Sequence, residues 1–471
     1  MGQEIESTHF RRKDFELFEM RLRDETQLLE TWFNEGRIAD QEFHAGYEVE
    51  TCLIDRQGHP APLNTEFLEQ LANPMVVPEL SRFNLEINSH PHPLKGSVLR
   101  DSCKELESLR LDCNRVAAHL DAQLVMAGIV PTLKEEQLNL ESMSGMQRFR
   151  ALNEQVLRLR GGQPMRLDIQ KEDHLVTEHG DLMLEAATTS FQIHMQVPPS
   201  AAANMLNLAQ IISAPMVAVA ANSPYLFGYD LWDETRIPLF EQAVAVSGPG
   251  EPERVGFGQS YVETVLDCFW GNIRDYPVIL PTKLSESAEE LAHLRLHNGT
   301  IWRWNRPLIG FDAQGTPHFR IEHRVLPAGP SVADSIANAA LFFGLMSFLS
   351  HESTRAEEYL EFAAARTNFY TAARDGLQAQ LQWFNGSRIG VNQLILEILL
   401  PQAKKGLQLL EIDAADIGEY LGIIKARTKS GMNGSRWQRE YVRTHGADMQ
   451  HLTEAYVARQ LSGAPVHEWS I

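Results

Sequence analysis

Strict alternation of apolar and polar residues in four short segments is the feature that most constrains the fold of this chain. In FQIHMQV, residues 191–197, one face of an extended strand is apolar and the other carries Gln192, His194 and Gln196. GYEVET (46–51), FNLEINS (83–89) and HFRIEHRV (318–325) alternate in the same way. Because long helical patterns lie between these strands, the sequence predicts an α+β protein with a mainly antiparallel sheet that leaves one face open for chemistry.

Three regions follow from the order of the patterns. Residues 1–40 are predicted to form an N-terminal helical segment, residues 41–350 the catalytic sheet core, and residues 351–471 a helical C-terminal region packed on the same unit. Within the core, residues 98–127 are predicted to form one long helix, and residues 200–224 a pair of buried helices interrupted at Pro215.

The overall charge argues against several classes of partner. The chain has 62 acidic and 42 basic residues, a net charge of −20, whereas proteins that bind nucleic acid or anionic membranes have basic surfaces. Its four cysteines form no CxxC pair, which indicates reduced thiols. The N-terminus lacks the apolar stretch of a signal peptide, and the longest apolar run, residues 336–349, is too short to span a bilayer. We therefore expect a cytoplasmic protein that binds neither nucleic acid nor membrane.

Carboxylates and one histidine occupy the polar faces of the alternating strands. Taken singly, each has a simpler explanation: a solvated Glu-x-Glu face, a hydrogen-bonded histidine, or cross-strand charge pairing in Arg-x-Glu-x-Arg. Taken together, converging carboxylates repel one another unless cations neutralise them, and carboxylates with one imidazole suit Mg²⁺ or Mn²⁺. The set therefore predicts two to three divalent cations beside arginines, an arrangement that binds polyphosphate. Its members are Glu48, Glu50, Glu79, Glu86, His194 and Glu322.

A nucleotide at such a site would be held without a glycine-rich phosphate loop. The sequence has neither a GxxxxGK[ST] motif nor a GxGxxG motif after a strand. TKSGMNGS, residues 428–435, contains Gly and Lys and could touch phosphate, although a plain turn between helices is the simpler explanation. Gln192, Arg320 and Lys429 are the candidate cofactor-binding side chains.

The order of these motifs resembles that of the glutamate–cysteine ligases, a family of carboxylate–amine ligases with the catalytic sheet of glutamine synthetase. The resemblance covers about residues 44–346 and rests on GYEVET, ELSRFNLEIN, FQIHMQV, AANSPYLFGYDLWDETR, GTIWRWNRP and FRIEHRVLPAGPS. It implies a curved, mainly antiparallel sheet of glutamine synthetase type, with helices on the outer face and a helical C-terminal extension.

The resemblance also implies a role for individual residues. One cation would be held by Glu50, Glu79 and Glu86, and another by Glu48, His194 and Glu322, with some of these ligands shared with a third cation. The catalytic arginines Arg306 and Arg324 would face phosphates. Arg236 would grip a substrate carboxylate in a pocket shaped by Asn222 and Ser223, although Asn-Ser-Pro is equally a turn that ends a helix.

The predicted activity is ATP-dependent ligation, with ATP and Mg²⁺ or Mn²⁺ as cofactors. The substrates implied by the resemblance are L-glutamate and an amine such as L-cysteine, which would make γ-glutamylcysteine, the first step of glutathione synthesis. A ligase for another amine, a guanidino kinase, a metal-dependent hydrolase and a non-catalytic regulatory protein with the same fold are the alternatives. The sequence decides neither the amine nor the oligomeric state.

Overall fold

The computed structural model describes residues 5, 8–40, 43–246, 253–282, 286–352 and 354–471. Its strands are β1 His44–Asp55, β2 Val76–Pro78, β3 Asn84–Asn88, β4 His92–Pro93, β5 Ala122–Val125, β6 Met165–Gln170, β7 His174–His179, β8 Ser190–Val197, β9 Tyr225–Leu226, β10 Tyr229–Asp230, β11 Val255–Gly256, β12 Trp302–Arg303, β13 Asn305–Phe311, β14 Pro317–Pro327, β15 Gln380–Gln382 and β16 Arg388–Gly390.

Helices make up most of the remaining described chain. They are α1 Arg12–Asn34, α2 Asn64–Leu71, α3 Val98–His119, α4 Gln147–Leu159, α5 Ala202–Ala220, α6 Arg236–Ala243, α7 Leu266–Asp275, α8 Ala292–Gly299, α9 Val332–His351, α10 Ala356–Tyr359, α11 Phe362–Asp375, α12 Val391–Gln393, α13 Leu400–Leu409, α14 Ala414–Ser430, α15 Gly434–His445 and α16 Met449–Leu461. A short 3₁₀ helix, Leu182–Ala187, leads into β8.

The central sheet has eight strands, and every pairing in it is antiparallel. Its order is β13-β14-β8-β1-β3-β2, and β4 and β5 also pair with β1. The four alternating segments of the sequence form β1, β3, β8 and β14, which are neighbours in this order. The predicted fold class, an α+β protein built on a curved antiparallel sheet, is confirmed.

The apolar face of the sheet packs against the two most hydrophobic helices. The Tyr47 ring lies 6.2 Å from that of Phe343 on α9, and the His323 ring stacks 4.4 Å from that of Phe342. Helix α5 packs on β14 and on α9. The apolar positions of the period-two pattern therefore form the core, and the polar positions are left on the opposite face.

Two sequence-based expectations about elements were wrong. Helix α3 ends at His119, because Asp121 takes a left-handed φ of 56° and the following residues pair with β1 as β5. Helix α5 is a single helix with Pro215 inside it, since burial on all sides compensates for the backbone hydrogen bond that proline cannot donate. On the polar face of the sheet Gln192 and Glu322 are nearly inaccessible, whereas Glu48 and Arg320 are half-buried.

The sequence analysis predicted that no apolar run is long enough to span a bilayer, but two helices are long enough. Helices α5 and α9 have 19 and 20 residues and are apolar enough to span one, but 89% of each apolar window is buried inside the protein. The main hydrophobic core also includes residues from Phe18 on α1 to Trp469 near the C-terminus. The division into three regions stays a prediction.

Candidate active site

Strand register brings the predicted ligands together on the polar face of the sheet. Across β1 and β3, Glu50 lies opposite Glu86, and across β1 and β8, Glu48 lies opposite Gln192. Across β8 and β14, His194 lies opposite Glu322. Because directly opposed residues have neighbouring Cβ atoms, three separate strand pairings place these side chains in one continuous row.

Glu48, His194 and Glu322 form a group that can hold a metal ion. Their ligand atoms lie within 4.8 Å of one another, and His194 Nε2 is 3.3 Å from Glu48 Oε1. Burial raises the pKa of Glu48, but the attraction of His194 outweighs it and keeps the pKa well below its usual range. Two carboxylates and one imidazole are a donor set that suits Mn²⁺ and is compatible with Mg²⁺.

Several buried polar atoms of this face have no hydrogen-bond partner among the described residues. They are Glu48 Oε2, Gln192 Oε1, and Nε and Nη1 of Arg324, whereas the only polar contact of His194 Nε2 within the described chain is with Glu48 Oε1. An orphaned buried polar atom costs about 1–3 kcal/mol, so a concentration of them is expected where a ligand completes the bonding. The residues present therefore fit a site for cations and an anionic ligand.

Arg306 is held beneath the site and does not face into it. Its Nε and Nη2 donate to Glu322 Oε2 and Oε1 at 2.6 and 3.0 Å, and its Nη1 donates to the backbone carbonyls of Asn298 and Ile301. Only 1% of the residue is exposed. The bidentate pair fixes the Glu322 carboxylate next to His194 and keeps the pKa of Glu322 below its usual range, although burial acts to raise it.

Arg324 is the predicted arginine whose surroundings leave donors available. Its Nη1 is 3.6 Å from Glu322 Oε2, an ion-pair distance but not a hydrogen bond, and its guanidinium lies 5.4 Å from the Phe240 ring. A register shift in β14 between His323 and Leu326 surrounds it. Its positive charge acts against the rise that burial and Glu79 cause in the pKa of Glu50, and it adds to the effect of Arg306 on Glu322, so Arg324 interacts with both acidic groups.

The second predicted acidic group consists of Glu50, Glu79 and Glu86, and the pKa of each carboxyl group is raised above that of free glutamate. Burial and the neighbouring Glu79 raise the pKa of Glu50 to about 7, and burial with Glu48 raises that of Glu86 well above normal. Burial likewise raises the pKa of Glu79, against the attraction of Arg148. Glu50 is fixed by hydrogen bonds from the backbone N–H of Ser190 at 2.6 Å and from Gln192 at 3.0 Å.

Glu185 belongs to the same acidic surroundings and was missed by the sequence analysis. Burial, Glu79 and Glu50 raise its pKa to about 8. It lies on the 3₁₀ helix before β8, where no period-two pattern marks one face. Its position shortly before the histidine strand is the only sequence signal that could have drawn attention to it.

Arg320 interacts with the imidazole of His194, one of the three residues of the group that can hold a metal ion. Its Nε donates to His194 Nδ1 at 3.1 Å, so a neutral ring carries its proton on Nε2, the nitrogen that points to Glu48. A cation on Nε2 needs that nitrogen deprotonated and Nδ1 protonated. Occupation of the site by a cation would therefore release Arg320 from His194 and leave it available to an anion.

The residues predicted to bind substrate lie at one end of β14, and their polar groups are largely engaged within the protein. Arg236 donates from Nε to Glu234 at 3.1 Å and from Nη2 to the carbonyl of Val325, and its guanidinium is 5.3 Å from the Trp304 ring. Asn222 donates to the Ala328 carbonyl and to the Tyr456 hydroxyl, both at 2.8 Å. Ser223 Oγ accepts from the N–H of Arg236 at 3.2 Å.

Among the described residues, no contact links Lys429 to the acidic row. It is exposed in the last turn of α14, and the chain turns into α15 within residues 431–433. Asn433 caps α15 and donates to the carbonyl of Ala218. The segment is thus an interhelical turn here, and a contact between Lys429 and phosphate stays a prediction.

The family profile described as glutamate–cysteine ligase family 2 matches residues 44–456. The chain belongs to this family. The match includes every strand of the central sheet and all of the predicted site residues, so the acidic row lies in the part of the chain that the family shares. Because this is a family of ligases, membership supports an enzyme of the ligase class.

Solved structures agree with this membership at the level of the fold. The glutamate–cysteine ligase of Francisella tularensis, solved in complex with AMP, aligns with a TM-score of 0.55 and 13% identity, covering 90% of both chains. A bifunctional glutathione synthetase from Pasteurella multocida aligns with a TM-score of 0.56 and 12% identity over 93% of this chain and 55% of that one. The comparison with curated proteins found no match.

Proposed function

We propose that this protein is an ATP-dependent carboxylate–amine ligase, and specifically a glutamate–cysteine ligase. The observation that carries the proposal is the Glu48, His194 and Glu322 group beside Arg324, with Glu50 and Glu86 paired in the same sheet, inside the region matched by the family. A regulatory protein that had lost catalysis would be expected to lose ligands, yet the chain keeps all six predicted ligands.

The proposed reaction has two steps. An oxygen of the substrate γ-carboxylate attacks the γ-phosphorus of ATP, the bond from that phosphorus to the bridging oxygen breaks, and ADP leaves. The amine nitrogen then attacks the acyl carbon, the carbon–oxygen bond to phosphate breaks, and the amine gives up a proton. Phosphorylation is needed because a free carboxylate is a poor electrophile, and water must be excluded because the acyl phosphate hydrolyses.

Each group in the row has a proposed part in binding and orientation. Glu48, His194 and Glu322 would hold one cation, and Glu50, Glu79 and Glu86 another, with Glu185 close enough to contribute. Bound divalent cations would neutralise phosphate charge and orient the reacting oxygens. Arg324 would bind a phosphate oxygen through Nε and Nη1, and Arg306 would act through Glu322 as a positioning residue.

The identity of the substrates rests on the family and on the named relatives. The chain shares its fold with a glutamate–cysteine ligase crystallised with AMP and with a bifunctional glutathione synthetase, which supports an adenine nucleotide, glutamate and cysteine. Arg236 is proposed to bind a carboxylate of glutamate, close to Asn222 and Ser223. We propose a cytoplasmic location on the same grounds.

ADP release tests this proposal directly. Purified protein with Mg-ATP and L-glutamate should release ADP several times faster when L-cysteine is added than with any other amine in a panel of amino acids and simple amines. The Glu48→Gln variant should lose this turnover, and Glu178→Gln, an exposed residue on β7, should keep it. Turnover with another amine would replace cysteine but keep the ligase, and no turnover with any pair would contradict the proposal.

A further inference from the structure

A second concave site lies on α11, away from the acidic row. It is a cavity of about 590 Å³, and its lining includes Trp232, Gln259, Phe362, Arg366, Tyr370 and Arg374. Phe362, Arg366 and Tyr370 are spaced by four residues and so lie along one side of α11, next to the side that buries Ala365 and Phe369. None of the residues predicted from the sequence to form the active site is part of the lining.

The groove combines aromatic walls with an exposed cation. Arg374 is already neutralised by a bidentate pair with Asp375 at 3.0 and 2.8 Å. Arg366 is exposed and forms no ion pair among the described residues, although its guanidinium lies 5.9 Å from the Tyr370 ring, hydrogen-bonds the Tyr370 hydroxyl and attracts the buried Glu241. Cavities of roughly 300–1,000 Å³ with apolar walls and few polar groups are typical of small-molecule sites.

We propose that this groove binds a small molecule that has an apolar or aromatic body and a carboxylate. The carboxylate pairs with Arg366, whose guanidinium presents parallel donors, and the body lies against Trp232, Phe362 and Tyr370.

A chain of direct contacts leads from the groove to Arg236. The Tyr370 hydroxyl donates to Glu241 Oε1 at 2.8 Å, and Trp304 Nε1 donates to the same oxygen at 2.8 Å. The Trp304 ring is the one that the Arg236 guanidinium covers. A ligand that changes how Tyr370 bonds Glu241 therefore changes the support of Arg236, so the groove's ligand is an effector of the site. This second part rests on the proposed role of Arg236 in substrate binding.

Binding can be tested without any activity measurement, by saturation-transfer NMR with phenylacetate as the probe. Acetate supplies the charge without the ring, and phenylacetamide supplies the ring without the charge. The expected dissociation constant of phenylacetate is on the order of millimolar, as for other fragments of its size. Arg366→Gln should weaken phenylacetate binding by about fivefold or more, and Arg374→Gln, the matched control, should change it less than about twofold. Equal signals from phenylacetate and phenylacetamide, no signal from phenylacetate, or no loss in Arg366→Gln would overturn the site.

The effector part has its own readout. Saturating phenylacetate should change the KM for glutamate by about fivefold in the wild type, and Tyr370→Phe should abolish this change because it keeps the ring but removes the bond to Glu241. An unchanged KM with phenylacetate bound to an active enzyme would overturn the effector role. An inactive wild-type enzyme that still binds phenylacetate through Arg366 would instead count against the proposed function and leave the groove assignment intact.

Discussion

Glu48, His194 and Glu322 should each contribute to the affinity for a divalent cation. Glu48→Gln keeps the size of the side chain but removes its charge, so it should weaken Mn²⁺ binding by at least about tenfold. Electron paramagnetic resonance of free Mn²⁺ measures this without turnover. Glu178→Gln on the exposed face of β7 is the control, and equal Mn²⁺ affinity in the two variants would contradict the assignment of the triad.

Arg306 is expected to contribute to the stability of the fold through its pair with Glu322, and not by binding phosphate directly. Arg306→Gln leaves the fully buried Glu322 carboxylate without its bidentate partner, a change that costs about 3–5 kcal/mol in other proteins. The control is Arg115→Gln, whose pair with Asp112 is on the surface and is expected to contribute less than about 1 kcal/mol. Urea unfolding gives the loss in free energy of unfolding for each variant. A loss for Arg306→Gln no larger than that for Arg115→Gln would contradict a stabilising role of the Arg306 pair.

At the scale of single residues, the sequence predicted on which face of the sheet a side chain lies wherever strand alternation decides it. Alternation assigned Glu48, His194 and Glu322 to polar faces, and the family resemblance implied that they hold one cation; the structure brings their ligand atoms together. The bidentate pairing of Arg306 could not be foreseen, because it depends on the register between β13 and β14. Glu185 was missed because a 3₁₀ helix has no alternating face.

Among the elements, the C-terminal helices fix the turn that carries Asn222 and Ser223. Gly434, at the start of α15, lies so close to Asn222 that a Cβ there would collide with the Asn222 side chain. Gln438 on the same helix donates to the backbone carbonyl and the side-chain oxygen of Asn222. The Tyr456 hydroxyl on α16 accepts a hydrogen bond from the Asn222 side chain. The helical extension thus packs against the sheet core at the end of β14 and holds Asn222 in place.

Gly434→Ala tests this contact. Overpacking at this position should destabilise the protein by about 1–3 kcal/mol in urea unfolding, because neither Asn222 nor the α15 backbone can move freely. Gly418→Ala in α14 is the matched control: nothing lies within 4 Å of its Cβ, and alanine is the better helix former by about 0.5–1 kcal/mol. Equal effects from the two substitutions would contradict the close approach.

Helix boundaries were the least predictable part of the elements. Residues 98–127 show an unbroken helical pattern, yet the last residues leave the helix because β1 offers a strand partner to β5. Pro215 suggested a break that does not occur, since packing between α5, α9 and the sheet keeps the helix continuous. In both cases tertiary contacts that are distant in sequence overrode the local signal.

For the whole molecule, the clustered acids predict a stability that falls as pH rises when cations are absent. The folded pKa values of Glu50, about 7, and Glu185, about 8, exceed the unfolded value of 4.5. Their stabilising protonation is complete below that value and is lost as pH rises through about 7 and about 8. Protein in EDTA should therefore be less stable at about pH 8 than at about pH 5.5, by on the order of a few kcal/mol.

Divalent cations should reverse this trend, because they neutralise the same carboxylates and release the protons. Urea unfolding at the two pH values, with EDTA or with Mg²⁺, gives the four free energies of unfolding that are needed. The prediction is a Mg²⁺-dependent gain that is larger at the higher pH. A cation-free protein that is more stable at the higher pH, with no gain from Mg²⁺, would contradict a carboxylate cluster that binds cations.

The central claim concerns the fate of one oxygen atom. Glutamate labelled with ¹⁸O in its γ-carboxylate should be supplied with Mg-ATP and the amine that gives the fastest ADP release, cysteine by our proposal. If ATP phosphorylates that carboxylate, one labelled oxygen appears in inorganic phosphate for each amide formed, which ³¹P NMR detects as an isotope shift. Unlabelled phosphate would show hydrolysis of ATP without carboxylate activation, and label in AMP would show adenylation, and either result would contradict the account.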